Sequence, residues 1–286
     1  MALLLPSGPD WAYCTHNLPT DIAASSLGAS YSAGASNADG TAVALFSAAL
    51  THDVEYLRLG FTMTTSSSQI NDVLSTILID PAGGTSWASF IPFLATGPLG
   101  PISVSTTAPN GHTYWYDFPI FIKSGSALGV YGRTAHSGTI PMRCTAIAYG
   151  GNANPASWWC GQGVEAIAVN SAASAGTAHT AGSSASFSSW TNLGSTLSHP
   201  CGALQWGATG EGDSINTTNN YQFEFGVGGV RIGAPLFRHI NTGEIGFALP
   251  TGPIFKRLAS GTQLQVRGAA DGASPQAIGV AAYAVY

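Results

Sequence analysis

The sequence predicts an all-β protein made of two tandem antiparallel β-sandwich domains of jelly-roll-like form, residues 1–150 and 151–286. Three observations carry the prediction: apolar residues recur with a period of two, turn clusters punctuate the chain at sandwich-like intervals, and one series of motifs occurs twice in the same order.

The period comes first. Leu57, Leu59, Phe61 and Met63 alternate with Arg58, Gly60 and Thr62, and Tyr221, Phe223, Phe225 and Val227 alternate with Gln222, Glu224 and Gly226. Successive side chains of a strand point to opposite faces, so each run buries one face and leaves the other polar. Further strands are expected at Val73 to Ile79, Phe118 to Ile122, Leu128 to Tyr131, Val230 to Ile232, Leu264 to Arg267 and Ile278 to Tyr286. No segment holds a sustained helical pattern with caps. Ser68 to Leu78 comes nearest, and its Val and Ile content favours a strand. Asp80-Pro81-Ala82-Gly83-Gly84 and Ala108-Pro109-Asn110-Gly111 supply turns between strands.

The repeat is read from order and spacing. Leu50-Thr51-His52 with Leu57 and Gly60 is matched by Leu197-Ser198-His199 with Leu204 and Gly207. Phe121 and Lys123 lead to Ser124-Gly125-Ser126 and then Leu128, Val130 and Gly132. Phe255 and Lys256 lead to Ser260-Gly261-Thr262 and then Leu264, Val266 and Gly268. Each half closes on an Ala-rich strand ending in tyrosine, Cys144 to Tyr149 and Ile278 to Tyr283, and Trp11 with Cys14 is set against Trp158 with Cys160. The turn-rich stretch Gly150-Gly151-Asn152-Ala153-Asn154-Pro155 reads as the linker.

Composition bounds the partners. A chain of 286 residues, 45% apolar, can bury two cores. Charged residues are 8%, against roughly 25% in an average domain. The surface is therefore built largely from small neutral side chains and hydroxyls, which suits packing against other protein. A formal charge of −5 and only two lysines, Lys123 and Lys256, argue against nucleic acid as a partner, which needs a basic stripe. The opening Met1 to Pro6 lacks the charged and apolar regions of a secretory signal, and no run approaches the roughly 20 apolar residues of a membrane span. Cys14, Cys144, Cys160 and Cys201 are expected as reduced thiols, with a Cys160–Cys201 bridge as the alternative. No cofactor is expected.

The common catalytic signatures are absent, which points away from an enzyme. His52 and His199 occupy matching repeat positions, so they are read as structural donors to turn carbonyls rather than as a general base. Cys14 with His16, or His199 with Cys201, lacks the second ligand pair that zinc requires. Among the carboxylates, Asp80, Asp117, Glu165, Glu211, Asp213 and Glu224 cannot be paired across a substrate from sequence alone. Glu211-Gly212-Asp213 is a weak calcium candidate and reads better as a solvated turn.

The aromatic clusters are the candidate recognition residues. Tyr114, Trp115 and Tyr116 follow a Pro-Asn-Gly turn and precede Asp117, and Trp158 with Trp159 opens the second half. Such residues suit stacking on sugar rings and equally a protein interface. Alternation puts Tyr114 and Tyr116 on one face and Trp115 on the other, with some of the three in the core.

Leu57 to Gly60, Tyr114 to Ile120, Ser124 to Gly132 and Cys144 to Gly150 resemble a module common among virion proteins of tailed bacteriophages. The second copy keeps Phe247-Ala248-Leu249-Pro250, Ser260 to Gly268 and Ile278 to Ala284, loses the aromatic turn, and carries Arg267 where the first has Tyr131. The resemblance implies a non-enzymatic structural protein of a phage-like virion, as capsid decoration or part of a head or tail appendage. It also implies homo-oligomers, such as a trimer, other virion proteins as partners, synthesis in the host cytoplasm, and host surface glycan as a further partner. A carbohydrate-binding module is the second reading, and a glycan-cleaving or deacetylating enzyme the third.

Overall fold

Alternation is realised where it was read most clearly: Leu57, Leu59 and Phe61 are fully buried, while Arg58 and Thr62 on the opposite face are half-buried. The structure is a computed structural model, and it describes residues 11–14, 28–63, 73–96, 114–150, 159–171, 174–210, 219–241, 244–248, 252–275 and 277–286.

The first half carries β1 (Trp11–Cys14), β2 (Ala29–Gly34), β3 (Val43–Ala44), β4 (Tyr56–Met63), β5 (Val73–Asp80), β6 (Ala88–Ala95), β7 (Tyr114–Phe118), β8 (Ala127–Thr134) and β9 (Ile140–Gly150). They form two layers, β2-β9-β4-β7 with β1 on β9, and β3-β8-β5-β6, joined by a two-residue parallel pairing of β2 with β8. The second half carries β10 (Val164–Ile167), β11 (Val169–Ser171), β12 (Ser174–Ala175), β13 (Thr177–Thr180), β14 (Thr191–Asn192) and β15 (Cys201–Gly210). It continues with β16 (Asn219–Val227), β17 (Val230–Asn241), β18 (Glu244–Ala248), β19 (Ile254–Leu258), β20 (Leu264–Ala270) and β21 (Ala277–Val285). Its layers are β13-β21-β15-β19 with β10 on β21, and β14-β20-β16-β17-β18. Apart from the short additions, both halves order their strands first-eighth-third-sixth in one sheet and second-seventh-fourth-fifth in the other. That is the jelly-roll arrangement, and the chain is two antiparallel β-sandwiches in tandem.

The shared motifs fold into the same hydrogen-bonded turn. Leu50 N–H bonds Ser126 O, and Gly125 N–H returns to Leu50 O; Leu197 N–H bonds Thr262 O, and Gly261 N–H returns to Leu197 O. Gly125 and Gly261 lie at φ +87 and +79, a conformation other residues adopt only at a cost, which is why Ser-Gly-Ser and Ser-Gly-Thr occur here. Register also corrects two sequence correspondences. Leu57 faces Ala148 and Leu204 faces Ala284, so Tyr283 stands at the position of Ile147, two residues from that of Tyr149. The strand that pairs with β21 as β1 pairs with β9 is Val164–Ile167, so Trp158 and Cys160 are not the counterparts of Trp11 and Cys14.

Two further expectations change. Residues 119–122 do not extend β7 as a ladder strand; Ile120 makes a single parallel bridge to Gly161, flanked by Gly161 N–H to Pro119 O and Phe121 N–H to Gly161 O. And β21 does not alternate between a wet and a dry face. Ile278, Val280, Ala282 and Ala284 enter the second core, while Ala281, Tyr283 and Val285 enter the first. A strand covered on both sides reads as a continuous apolar run, which explains its Ala-rich composition.

The two sandwiches are thus packed through one face of the β13-β21-β15-β19 sheet. Tyr283 stands edge-on to Tyr116 and Phe118, with centroids 5.5 and 6.4 Å away. Its hydroxyl donates to Phe93 O at 2.9 Å and accepts from Ala95 N–H at 2.7 Å, while Tyr116 donates to Ala95 O at 2.5 Å. Phe93 is held at φ +53, with its N–H on Thr76 Oγ1, and this bulge in β6 aims its carbonyl at Tyr283. Gly207 passes so near that a Cβ there would lie 2.9 Å from the Tyr283 ring. Gly207→Val is expected to cost about 1–3 kcal/mol by overpacking this contact, read as a lower urea midpoint.

At the outer edge of the second sandwich, Phe255, Lys256 and Arg257 of β19 are exposed. Two cations on an edge strand discourage lateral pairing with another sheet.

Candidate functional site

Strand pairing brings together residues that are far apart in sequence on the outer face of the β9-β4-β7 layer. Register sets Arg58 opposite Asp117, Gly60 opposite Trp115, and Tyr56 opposite Tyr149. The Arg58 guanidinium lies 4.9 Å from the centroid of the Trp115 ring, and its Nε is 3.6 Å from Asp117 Oδ1. Tyr56 packs edge-on to Tyr149 at 6.2 Å. Asp117 is 5% exposed and Tyr56 3%, although both lie on the side of the sheet away from the core. Burial pushes the Asp117 carboxyl up from the usual range, opposed by Arg58 and the nearby Tyr56 hydroxyl. Burial likewise raises the Tyr56 phenol, reinforced by the negative charge of Asp117. Asp117 Oδ1, the Tyr56 hydroxyl and Arg58 Nε are sealed from solvent and face one another, so the cluster is a buried polar contact between β4 and β7.

A second polar cluster lies on the outer face of β16 and β20. Glu224, nearly fully buried, accepts from Arg267 Nε and Nη2 at 2.9 and 2.7 Å and from Arg231 Nη1 at 3.0 Å. The Arg267 guanidinium lies 4.6 Å from the ring centroids of both Phe187 and Trp190. These bonds hold the Glu224 carboxyl below its ordinary range against the opposing effect of burial. Both of its oxygens are bonded, so this cluster ties strands together and offers a ligand little.

The predicted residues divide. Tyr116 is fully buried between the sandwiches and so is not an exposed recognition residue; its alternation parity sends it inward with Phe118. Trp115 is half-buried on the opposite face. The strand position of Tyr114 is described but its side chain is not, and Trp158, Glu211 and Asp213 lie outside the described residues. Trp159 is exposed and lies over Gly202, where a Cβ would sit 2.5 Å from the indole.

Cys160 and Cys201 are free thiols and do not form the bridge entertained above; burial raises both, and Cys144 as well. The two histidines have different surroundings. His52 is exposed, with Nδ1 2.9 Å from Thr51 Oγ1, whereas His199 stacks on Tyr286 at 4.1 Å beside Glu165. Glu165 accepts the N–H groups of Ser198 and His199, and Asp80 accepts those of Ala82 and Ser86, so both carboxylates cap turns. Among the described residues no cluster of three metal-ligating side chains occurs, and no helix is long and apolar enough to cross a membrane. Arg58 and Tyr56 were not singled out from sequence, because their meeting with Asp117 depends on the register of β4 against β7.

No protein-family model matches the chain, and no curated protein does. Among solved structures it is similar to PNGF-II, with TM-score 0.40 and 10% identity over 83% of this chain, which spans only 58% of that one. It is also similar to the major capsid protein of Sulfolobus Turreted Icosahedral Virus, with TM-score 0.37 and 9% identity over 97% of this chain and 96% of that one. A tandem CBM22 pair from Paenibacillus barcinonensis Xyn10C gives TM-score 0.27 and 12% identity over 97% and 91%. At such scores these likenesses have no bearing on what this chain binds or does.

Proposed function

We propose that this chain is a non-enzymatic structural protein of a phage-like virion, composed of two jelly-roll modules, residues 1–150 and 151–286. It serves at the particle surface as capsid decoration or as part of a head or tail appendage, and it assembles as a homo-oligomer, a trimer being the expected form. The observation that supports the reading most is the buried ring packing of Tyr116, Phe118 and Tyr283 between the sandwiches, which joins the pair into one block. Combined with a chain in which 8% of residues are charged, such a block suits repeated packing against protein. Jelly rolls serve in capsids and in lectins alike, so the fold is compatible with this role without selecting it.

Light scattering coupled to size exclusion tests the proposal. A defined oligomer that persists on dilution, and attachment in many copies to purified particles, is the expected result. A strictly monomeric chain at high concentration with no affinity for particles overturns it.

A further inference from the structure

We propose that a strip across the seam between the sandwiches, from Asp53 and Glu55 through Trp159 and Phe255 to Lys256 and Arg257, is the surface on which a second copy of this chain docks, the acidic end of one copy against the basic end of the next. This rests on the assembly reading and names the surface which that reading needs.

Contacts place these residues in one line. Glu55 lies within electrostatic reach of Cys160, and the residue before it, Trp159, lies over Gly202 of β15. The neighbouring Ala203 is paired with Phe255 of β19. Ala203 is buried toward the first sandwich, and paired residues share a face, so Phe255 projects on that same side beyond the covered area. Trp159 and Phe255 are 38% and 56% exposed, two of the four large apolar residues left open among the described residues. They extend to the surface the side of the sheet on which Tyr283 meets Tyr116 and Phe118. Exposed aromatics grouped in this way mark an interaction site.

The duplicate shows that this surface is the uncovered one. Leu57 with Phe118 and Val54 with Ile122 correspond to Leu204 with Ile254 and Cys201 with Leu258, so residues 119–121 are the counterpart of 255–257. In the first sandwich that stretch is covered: Ile120 bridges Gly161, Gly161 N–H bonds Pro119 O, and Phe121 N–H bonds Gly161 O. In the second, Phe255, Lys256 and Arg257 are all exposed. A second copy supplies from outside the cover that the first sandwich receives from within the chain.

Charge selects the occupant. Asp53 is exposed and Glu55 half-buried, and even with the exposed Lys123 beside them this end is net acidic. Burial, reinforced by Asp53, pushes the Glu55 carboxyl above its ordinary range, and a cation brought against the pair relieves that repulsion. Asp53, Glu55, Lys256 and Arg257 form no ion pair among the described residues. A partner of a single charge sign meets its like at one end of the strip. A copy of the strip itself, reversed, meets its opposite at both. Two adjacent cations disfavour pairing along the β19 edge, so the contact is through side chains. Pairing of acidic with basic ends closes about a two-fold or a three-fold axis alike.

Light scattering coupled to size exclusion on the full chain and its variants tests the proposal. Lys256→Glu with Arg257→Glu makes both ends of the strip acidic; Glu55→Lys makes both basic and leaves Asp53 on the Ser124 N–H. Each variant is expected to keep the wild-type melting temperature and to self-associate about tenfold more weakly, and an equimolar mixture of the two is expected to associate again. Wild-type association is expected to weaken from about 50 to about 500 mM NaCl. Trp159→Ser is expected to weaken it at either salt. An oligomer that persists unchanged in both folded charge variants overturns the strip and leaves the assembly reading standing, since another face then holds the copies together. Variants that dissociate singly and stay apart when mixed overturn the acid-to-base pairing. A wild-type chain that is monomeric at every concentration overturns the assembly reading itself, and the two failures are told apart.

Discussion

Tyr283→Ala is expected to lower the unfolding free energy by about 3–5 kcal/mol, the range for removing a fully buried aromatic ring. The ring is fully buried, and its hydroxyl holds both Phe93 O and Ala95 N–H of β6. Tyr283→Phe separates the two contributions: it keeps the packing and leaves two backbone groups unpaired, for an expected loss of about 1–3 kcal/mol. Because Tyr283 sits between the sandwiches, calorimetry is expected to resolve two transitions for Tyr283→Ala and one for the wild type. A loss confined to the size of the Phe variant would show that the ring itself adds nothing.

The second large effect is expected at Glu224. Removing it strands Arg267 and Arg231, and breaking a buried pair by deleting one partner costs about 3–5 kcal/mol. Both arginine side chains retain access to water, at 33% and 53%, so Glu224→Ala is expected to cost about 2–3 kcal/mol, less than a sealed pair would. The sign of the pH dependence follows from the same bonds. Glu224, Asp80 and Asp271 have carboxyls held below their ordinary range, so their stabilisation is present above the unfolded carboxylate range and is lost as pH falls through their folded values. Asp117 and Glu55 are shifted upward by burial and act in the opposite sense, their protonation favouring the folded state. The melting temperature should therefore hold from neutrality to about pH 5 and fall below about pH 4, less steeply in Glu224→Gln, as thermal scans across that range would show.

Much of the architecture was legible because its signals are local. Period-two runs at 57–63 and 221–227 mark central strands, and the Ser-Gly-Ser and Ser-Gly-Thr turns require a glycine at positive φ. What escaped depends on contacts remote in sequence. β6 carries Pro92 and the left-handed Phe93, which break the alternation a reader looks for. β21 hides its role by being apolar on both sides, and equating its tyrosine with Tyr149 erred by two residues because only register fixes that correspondence. Trp115 and Asp117 were legible as candidates, whereas Arg58 was not: it meets them only through the pairing of β4 with β7. Tyr116 looked like its equal, and alternation alone could not say which of the two faced inward.

The link from Tyr283 to Ala95 spans 188 residues. Closing so long a loop comes late in folding, since its entropy must be lost before the contact returns anything. Until β21 arrives, Tyr116 and Phe118 on the flank of the first sandwich have no cover. Refolding should therefore be slow, and a partly folded chain should be prone to clump through that aromatic flank. A single finished block and a vulnerable passage to it follow from the same strand.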